Sequence, residues 1–134
     1  MGAQSLKLVP VKWSDAAAAR LGRIAAASEA DLANWQAHVT AGRMYLLEAR
    51  LAGAVIGFVI WSIEDEPSRR AVIVNAAAID PIRGMDMTET IYRFARDMAT
   101  RNGATVLRFW TRRTGLLRKL AGRFTHTYVM EAQL

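Results

Sequence analysis

The sequence contains no cysteine, and this absence excludes several kinds of chemistry. Disulfide bonds, thiolate metal sites and a cysteine nucleophile all require that residue. Only His38 and His126 could supply imidazole ligands, and neither stands in a metal-ligand spacing. The sequence therefore predicts no metal site.

Long apolar runs are also missing. The longest of them, Ala54–Trp61, is far too short to span a bilayer. The N-terminus has no continuous apolar segment of the signal-peptide type. We therefore expect a cytoplasmic protein that makes no membrane contact.

The composition is that of a folded protein. The chain has 134 residues, of which 52% are hydrophobic and 22% are charged. These proportions are typical of globular chains and lie far from those of disordered ones. Because the length suits a single sizeable core, we expect one compact domain over residues 1–134.

The net charge of +6 comes entirely from the last quarter of the chain. Residues 1–100 hold equal numbers of basic and acidic side chains, whereas residues 101–134 hold seven basic ones and a single acid. Such asymmetry attracts phosphate, nucleic acid or an acidic protein surface, or it serves only as a solvated face. Nucleic acid has the weaker support, since no recognised reading module accompanies the arginines. We predict one contiguous positive surface made of Arg112, Arg113, Arg118, Lys119 and Arg123.

The first third of the chain predicts a strand followed by two helices, or by one broken helix. Leu6–Val11 alternates weakly, as a short strand does. Ser14 is placed to cap an alanine-rich helix over Asp15–Ala27, and Ser28 restarts the helical pattern. An apolar stripe at helical spacing is expected to face the core on the second helix: Leu32, Trp35 and Val39.

The middle of the chain predicts three consecutive strands. Met44–Leu51 and Ala54–Ile63 are rich in branched and aromatic residues on either side of a two-residue turn, a strong hairpin signal. The segment "EDEPSRR" has the chemistry of an exposed turn, because proline and serine stand between charges. Ala71–Ile79 is apolar on both faces, as a central strand should be.

The last third predicts helix, strand, helix and strand. The four segments are Met87–Asn102, Thr105–Trp110, Gly115–Ala121 and Thr127–Leu134. In the first of them, a buried stripe is expected from residues at helical spacing: Ile91, Phe94, Ala95 and Met98.

This order of elements resembles the GNAT (GCN5-related N-acetyltransferase) superfamily over nearly the whole chain. The best-matching stretches are "LAGAVIGFVIW", "AAAIDPIRG" and "ATRNGATVLRF". The resemblance implies an α/β fold in which a mixed, mostly antiparallel central sheet is flanked by helices. It also implies an acetyl-coenzyme A-dependent N-acetyltransferase that acylates an amine.

The resemblance also implies where the cofactor binds. In the family the fourth and fifth strands splay apart and the acyl-pantetheine arm lies between them; here those strands are Ala71–Ile79 and Thr105–Trp110. The backbone of the fourth strand then pairs with the arm, and the loop and helix start that follow hold the pyrophosphate. The implied cofactor-binding residues are Asn75, Ala76, Ala77, Ala78, Ile79, Arg83, Gly84, Met85, Asp86, Met87 and Thr88.

The phosphate loop departs from the family pattern at two of three positions. The pattern begins with Arg or Gln, has Gly three residues later and Gly or Ala two residues after that. Laid on this chain, those positions are Pro81, Gly84 and Asp86. Asp86, followed by Glu89, has the spacing of a helix cap with an acidic first turn. Because a helix N-terminus attracts anions, a carboxylate there competes with a pyrophosphate for the same donors.

The catalytic residues of the family have no counterparts that the sequence identifies. In the family, a Tyr in the helix after the fifth strand commonly acts as the general acid that protonates the departing thiolate. This chain has Leu117 or Arg118 near that position. The predicted strand Ala71–Ile79 holds no carboxylate, and the acids of "EDEPSRR" are interpreted as an exposed turn. No catalytic residue is therefore assigned.

Two functions follow from these features. The first is the acetyl-coenzyme A-dependent N-acetyltransferase, with an altered site. The second is a catalytically inactive GNAT-fold protein without cofactor, which contacts an acidic protein or a neighbouring subunit through its basic C-terminal surface. Short GNAT-like domains of this kind occur among phage-encoded proteins, so a virion or host-interaction role, and a virion location, fit the second hypothesis.

Overall fold

The structure is a computed structural model that describes residues 6–24, 28–110, 125–126 and 129–133. Three helices and seven strands are assigned within these residues. In chain order they are β1 (Leu6–Pro10), α1 (Asp15–Leu21), α2 (Glu29–Thr40), β2 (Tyr45–Leu51), β3 (Ala54–Glu66), β4 (Arg69–Ile79), α3 (Met87–Arg101), β5 (Val106–Trp110), β6 (Thr125–His126) and β7 (Val129–Gln133).

Packing divides the chain into two compact units. One comprises Met1–Ile60 with Ala77–Asp80, and the other Trp61–Ala76 with Pro81–Leu134. In the first unit, β1 pairs antiparallel with β2, and β2 is hydrogen-bonded in turn to β3. That the whole chain is one domain stays a prediction.

The second unit holds the only parallel strand pair among the described residues for which a register is assigned. β4 lies between β3 and β5, and its residues Ala71–Val74 pair in parallel with Val106–Phe109. β5 pairs antiparallel with β7, which pairs antiparallel with β6. The predicted α/β class with a mixed, mostly antiparallel sheet is therefore confirmed.

The hydrophobic core follows the strands that the sequence marks as apolar on both faces. In β3, every residue of the run 56–62 is buried. In β4, Ala71 to Val74 are buried, and Val106 and Leu107 of β5 are inaccessible to solvent. Such runs are typical of interior strands covered on both faces. No helix in the described part of the chain is long and apolar enough to cross a membrane.

The predicted helix N-caps are present, whereas the predicted apolar stripes are less buried than expected. Ser14 caps α1 through its hydroxyl, which accepts from the Ala17 N–H at 3.1 Å. Ser28 and Asp31 form a reciprocal capping box at the start of α2. In α2, however, no residue is buried, and the predicted apolar stripe is only half-buried. In α3, Ile91, Ala95 and Ala99 are buried, whereas Phe94 and Met98 are half-buried.

Two predicted boundaries need correction. The first helix ends at Leu21 instead of reaching Ala27, because Gly22 caps it with N–H bonds back to the preceding turn. The segment "EDEPSRR" is not a wide turn: β3 runs through Glu66, β4 begins at Arg69, and only the two residues between them turn. The predicted helix Gly115–Ala121 lies outside the described residues.

The β2–β3 hairpin turns through two residues that both have positive φ. Ala52 has φ of 51° and Gly53 has φ of 82°. Positive φ at both central residues is what a type I′ turn requires, and the twist of that turn matches the twist of the flanking strands. Alanine is strained in this region, whereas asparagine tolerates it.

We predict that Ala52→Asn raises the free energy of unfolding by about 1 kcal/mol, because asparagine relieves the left-handed strain at this turn. Ala54→Asn is the matched control, since Ala54 lies in extended backbone two residues away and gains nothing from asparagine. Urea denaturation of the three proteins measures both effects. An Ala52→Asn protein that is no more stable than the wild type would contradict the turn assignment.

Candidate functional site

The assigned pairing of β4 with β5 covers only the inner half of β4. The register between β4 and β5 ends with Val74 opposite Phe109, although β4 continues to Ile79 and β5 to Trp110. Asn75 is therefore the first residue of β4 beyond this pairing. The sequence predicts that these two strands separate at this end, and that separation stays a prediction.

Contacts join β3 and β4 at the hairpin and again where β4 ends. At the hairpin end, Glu66 and Arg69 flank the two-residue turn and are joined by an ion pair of 3.0 Å. At the other end, the Asp80 N–H donates to the Ile56 carbonyl at 2.8 Å. The backbone thus stays hydrogen-bonded to β3 at the first residue after β4.

Gly57 allows the β4 backbone to come unusually close. A Cβ at position 57 would stand 2.2 Å from the Ala78 carbonyl oxygen and 2.6 Å from the Ile79 Cα. Both contacts are to backbone, which cannot rotate away as a side chain would. A glycine inside a strand often marks such an approach, and here it falls in the run "LAGAVIGFVIW" that carried the resemblance.

Arg20 of α1 fastens the ends of β3 and β4. Its guanidinium donates to the carbonyl oxygens of Val55 and Ile56 at 3.2 and 3.1 Å. The same group forms an ion pair of 2.7 Å with Asp80, the residue that follows β4. One partly buried side chain thus fixes the start of the loop that leads to α3.

The loop ends in the helix cap that the sequence predicted. Asp86 is the N-cap of α3, and its Oδ1 accepts from the Glu89 N–H at 3.2 Å. Gly84 has φ of +81° with open space where a Cβ would stand, and Arg83 is exposed. In the first turn, Glu89 adds a second carboxylate, which contacts Arg93 at 3.4 Å.

These residues fit an anion only in part. The first N–H groups of a helix have no intrahelical partner, so those of Met87 and Thr88 suit a phosphate. The Glu89 N–H, by contrast, already serves the Asp86 carboxylate. That carboxylate also places a negative charge at the positive end of the helix dipole. The start of α3 therefore has backbone N–H groups of the kind that bind phosphate, and the Asp86 carboxylate already accepts from one of them.

The acidic residues at the end of β3 form ion pairs with arginines of the neighbouring strands. Arg108, which is largely buried, contacts Glu66 at 2.8 Å and Glu64 at 3.8 Å. The Arg108 hydrogen bond, with Arg69 adding to it, holds the pKa of Glu66 below its usual value. The sequence predicted these acids as part of an exposed turn. It did not anticipate Arg108, which reaches them from β5, 42 residues along the chain from Glu66.

Among the predicted cofactor residues, Asn75–Ile79 form the outer half of β4. Arg83–Thr88 form the end of the loop before α3 and the start of that helix.

The predicted basic surface lies outside the described residues: Arg112, Arg113, Arg118, Lys119 and Arg123. Sequence reasoning missed Arg20 and Gly57; a glycine within an apolar strand run was the available signal for the latter.

Comparison with known proteins gives a structural match only. No family model matches the sequence, and no curated protein matches it. A GNAT family acetyltransferase from Elizabethkingia anophelis with acetyl-CoA bound superposes with a TM-score of 0.71 at 11% identity, covering 96% of this chain and 98% of that one. The chain has the GNAT fold.

Two further structures support this assignment of the GNAT fold. An IAA acetyltransferase from Bacillus cereus has a TM-score of 0.67 at 16% identity over 97% of this chain and all of its own. A paia N-acetyltransferase from Thermoplasma acidophilum, in complex with coenzyme A, has 0.60 at 16% identity over 97% and 99%. Identities this low establish the fold, and a fold alone does not establish an activity.

We predict that Gly57→Ala lowers the free energy of unfolding by about 1–3 kcal/mol, because the methyl group meets backbone atoms that must be displaced. Gly53→Ala serves as the matched control: it has open space around the Cβ and carries only the cost of positive φ, about 1 kcal/mol. Chemical denaturation measures both. Equal losses in the two variants would mean that the close approach at Gly57 is not a constraint.

Proposed function

We propose that this protein is an N-acyltransferase that uses acetyl-coenzyme A to acylate an amine. The observation that carries the proposal is that the assigned β4–β5 register ends at Val74, whereas the backbone groups of β4 continue to Ile79 and lie close over Gly57. In a regular parallel sheet these backbone groups would pair with the neighbouring strand. Past the register they are candidates to pair with an extended ligand.

The fold neighbours support this proposal. The Elizabethkingia anophelis acetyltransferase has acetyl-CoA bound, and the Thermoplasma acidophilum enzyme has coenzyme A bound. By resemblance, the backbone of Asn75–Ile79 would hold the pantetheine arm in this chain. The bound thioester would supply an activated acyl group.

The phosphates would be held at the start of α3. The N–H groups of Met87 and Thr88, with the positive end of the helix dipole, attract an anion. Arg83 adds a positive charge from the loop, and Gly84 leaves space for a close approach. The Arg20–Asp80 ion pair would keep the beginning of this loop in place.

A second function is favoured by the Asp86 cap. The carboxylate occupies a donor that a pyrophosphate would use, and a stable cap is what a purely structural helix needs. On this account the protein is a GNAT-fold protein without activity that contacts an acidic protein or a neighbouring subunit. The basic residues from Arg112 to Arg123 would form the contact surface, in a virion or host-interaction role if the protein is phage-encoded.

The two functions differ in one measurable property, which is affinity for coenzyme A. We predict that Asp86→Asn binds coenzyme A more tightly than the wild type, because it removes the charge while asparagine remains a good N-cap. One charge within about 4 Å of a phosphate changes binding by on the order of 1–4 kcal/mol, or about fivefold and upward. Isothermal titration calorimetry measures the difference.

Asp86→Ala is the control that separates charge from capping. It should also bind more tightly, but with a loss of about 1 kcal/mol in stability. If the wild type already binds at micromolar strength and Asp86→Asn binds no tighter, the carboxylate does not compete with the ligand. If neither protein binds coenzyme A, the acyltransferase proposal fails.

A further inference from the structure

Asn75 and Ser62 form a polar side-chain pair between β3 and β4 in the second unit. Ser62 is the only polar or charged residue that is buried among the described residues, with 8% of its surface exposed. Its Oγ accepts from Asn75 Nδ2 at 2.9 Å. Asn75 is half-buried and is the first residue of β4 beyond the pairing with β5. A polar pair with one buried member, at the end of a strand register, calls for an explanation.

The surroundings of Nδ2 fix the orientation of the amide. The Ile73 carbonyl oxygen lies 3.4 Å from Nδ2 in addition to the serine hydroxyl. A carbonyl only accepts hydrogen bonds, so the amide group facing it must be the NH₂. The amide oxygen, Oδ1, therefore points the other way. Among the described residues, no donor to Oδ1 is found.

The other polar groups nearby are already engaged. Ser62, Glu64 and Glu66 alternate along β3 and so lie on one face, which Asn75 shares through its bond to Ser62. On that face Glu66 is bonded to Arg108 and Arg69, and Glu64 also contacts Arg108. Oδ1 of Asn75 is thus an oriented acceptor with bonding capacity left over.

We propose that Asn75 Oδ1 accepts a hydrogen bond from the N–H of the acceptor substrate, a neutral primary amine, and that Ser62 is the positioning residue that holds the amide in this orientation. The inference rests on the acyltransferase function proposed above. The phosphate loop follows the outer end of β4, so the acyl end of an arm paired with Asn75–Ile79 lies toward Asn75, the inner end of that segment.

The reaction balances with Asn75 in this role. The amine nitrogen forms a bond to the thioester carbonyl carbon, the carbon–sulfur bond breaks, and its electron pair leaves with sulfur. The nitrogen loses one proton and the sulfur gains one, which gives an amide and a free thiol. A carboxamide is not a base at neutral pH, so Asn75 orients the nucleophile and takes no proton. Its contribution is to hold the nitrogen in place.

The test compares Asn75→Ala, Ser62→Ala and the double variant, with butylamine as the probe acceptor. Asn102→Ala is the matched control, since that amide bonds to Met98 at the end of α3. Asn75→Ala should raise the KM for butylamine about tenfold and leave the Kd for coenzyme A unchanged within twofold. Ser62→Ala should give a smaller rise. The double variant should match Asn75→Ala alone, because Ser62 acts only through Asn75.

A binding measurement provides a readout independent of turnover. The side-chain amide signals of Asn75 are followed by NMR while butylamine is added to the protein saturated with coenzyme A, at a pH where part of the amine is neutral. These signals should shift on titration with butylamine and stay in place with N,N-dimethylbutylamine, whose neutral form has no N–H. The Asn102 signals should not respond to either amine.

The possible failures are distinguishable. Wild-type protein that does not bind coenzyme A overturns the proposed function and this inference with it. Protein that binds coenzyme A but shows unmoved Asn75 signals, or an unchanged KM in Asn75→Ala, overturns the inference alone. A double variant clearly worse than Asn75→Ala overturns the positioning role of Ser62.

Discussion

The close approach of the β4 backbone to Gly57 is the constraint on which the candidate site depends. Any side chain at position 57 would collide with the carbonyl of Ala78 and the Cα of Ile79. The assigned register of β4 with β5 has already ended at Val74. Arg20 holds the close approach in place, because it bonds to carbonyls of β3 and to Asp80. A glycine inside a strand often marks such a close approach of another backbone or of a ligand.

The start of α3 presents a conflict between stability and binding. Asp86 satisfies a helix N–H that would otherwise lack a partner, which stabilises the helix. The same carboxylate opposes the binding of any phosphate at that end. Proteins commonly relax local stability rules at functional sites, and here the local rule is obeyed. The two proposed functions therefore differ in what they expect of Asp86: a phosphate binds beside it in the acyltransferase, and it serves only as a helix cap in the inactive protein.

Features that depend on neighbouring residues, such as helix caps and tight turns, could be predicted from the sequence. Features that depend on which residues of two strands lie opposite each other could not. Caps at Ser14, Ser28 and Asp86, and the two-residue turn at Ala52, follow from residue type and spacing, and each is present. The width of the β3–β4 turn was overestimated because charged residues resemble a loop in sequence, whereas cross-strand ion pairs keep them in strands. The pairing of Asn75 with Ser62 depends on which residues of β3 and β4 lie opposite each other, and no local pattern encodes that register.

The most direct test of the central claim is amide hydrogen exchange along β4, measured by NMR with and without coenzyme A. If the outer half of β4 is a ligand-pairing strand, amides within Asn75–Ile79 exchange faster than those of Ala71–Val74 in the free protein and slow down when coenzyme A is added. Amides of Ala71–Val74, which pair with β5, should be unaffected. Equal protection along the whole strand, unchanged by coenzyme A, would contradict the account.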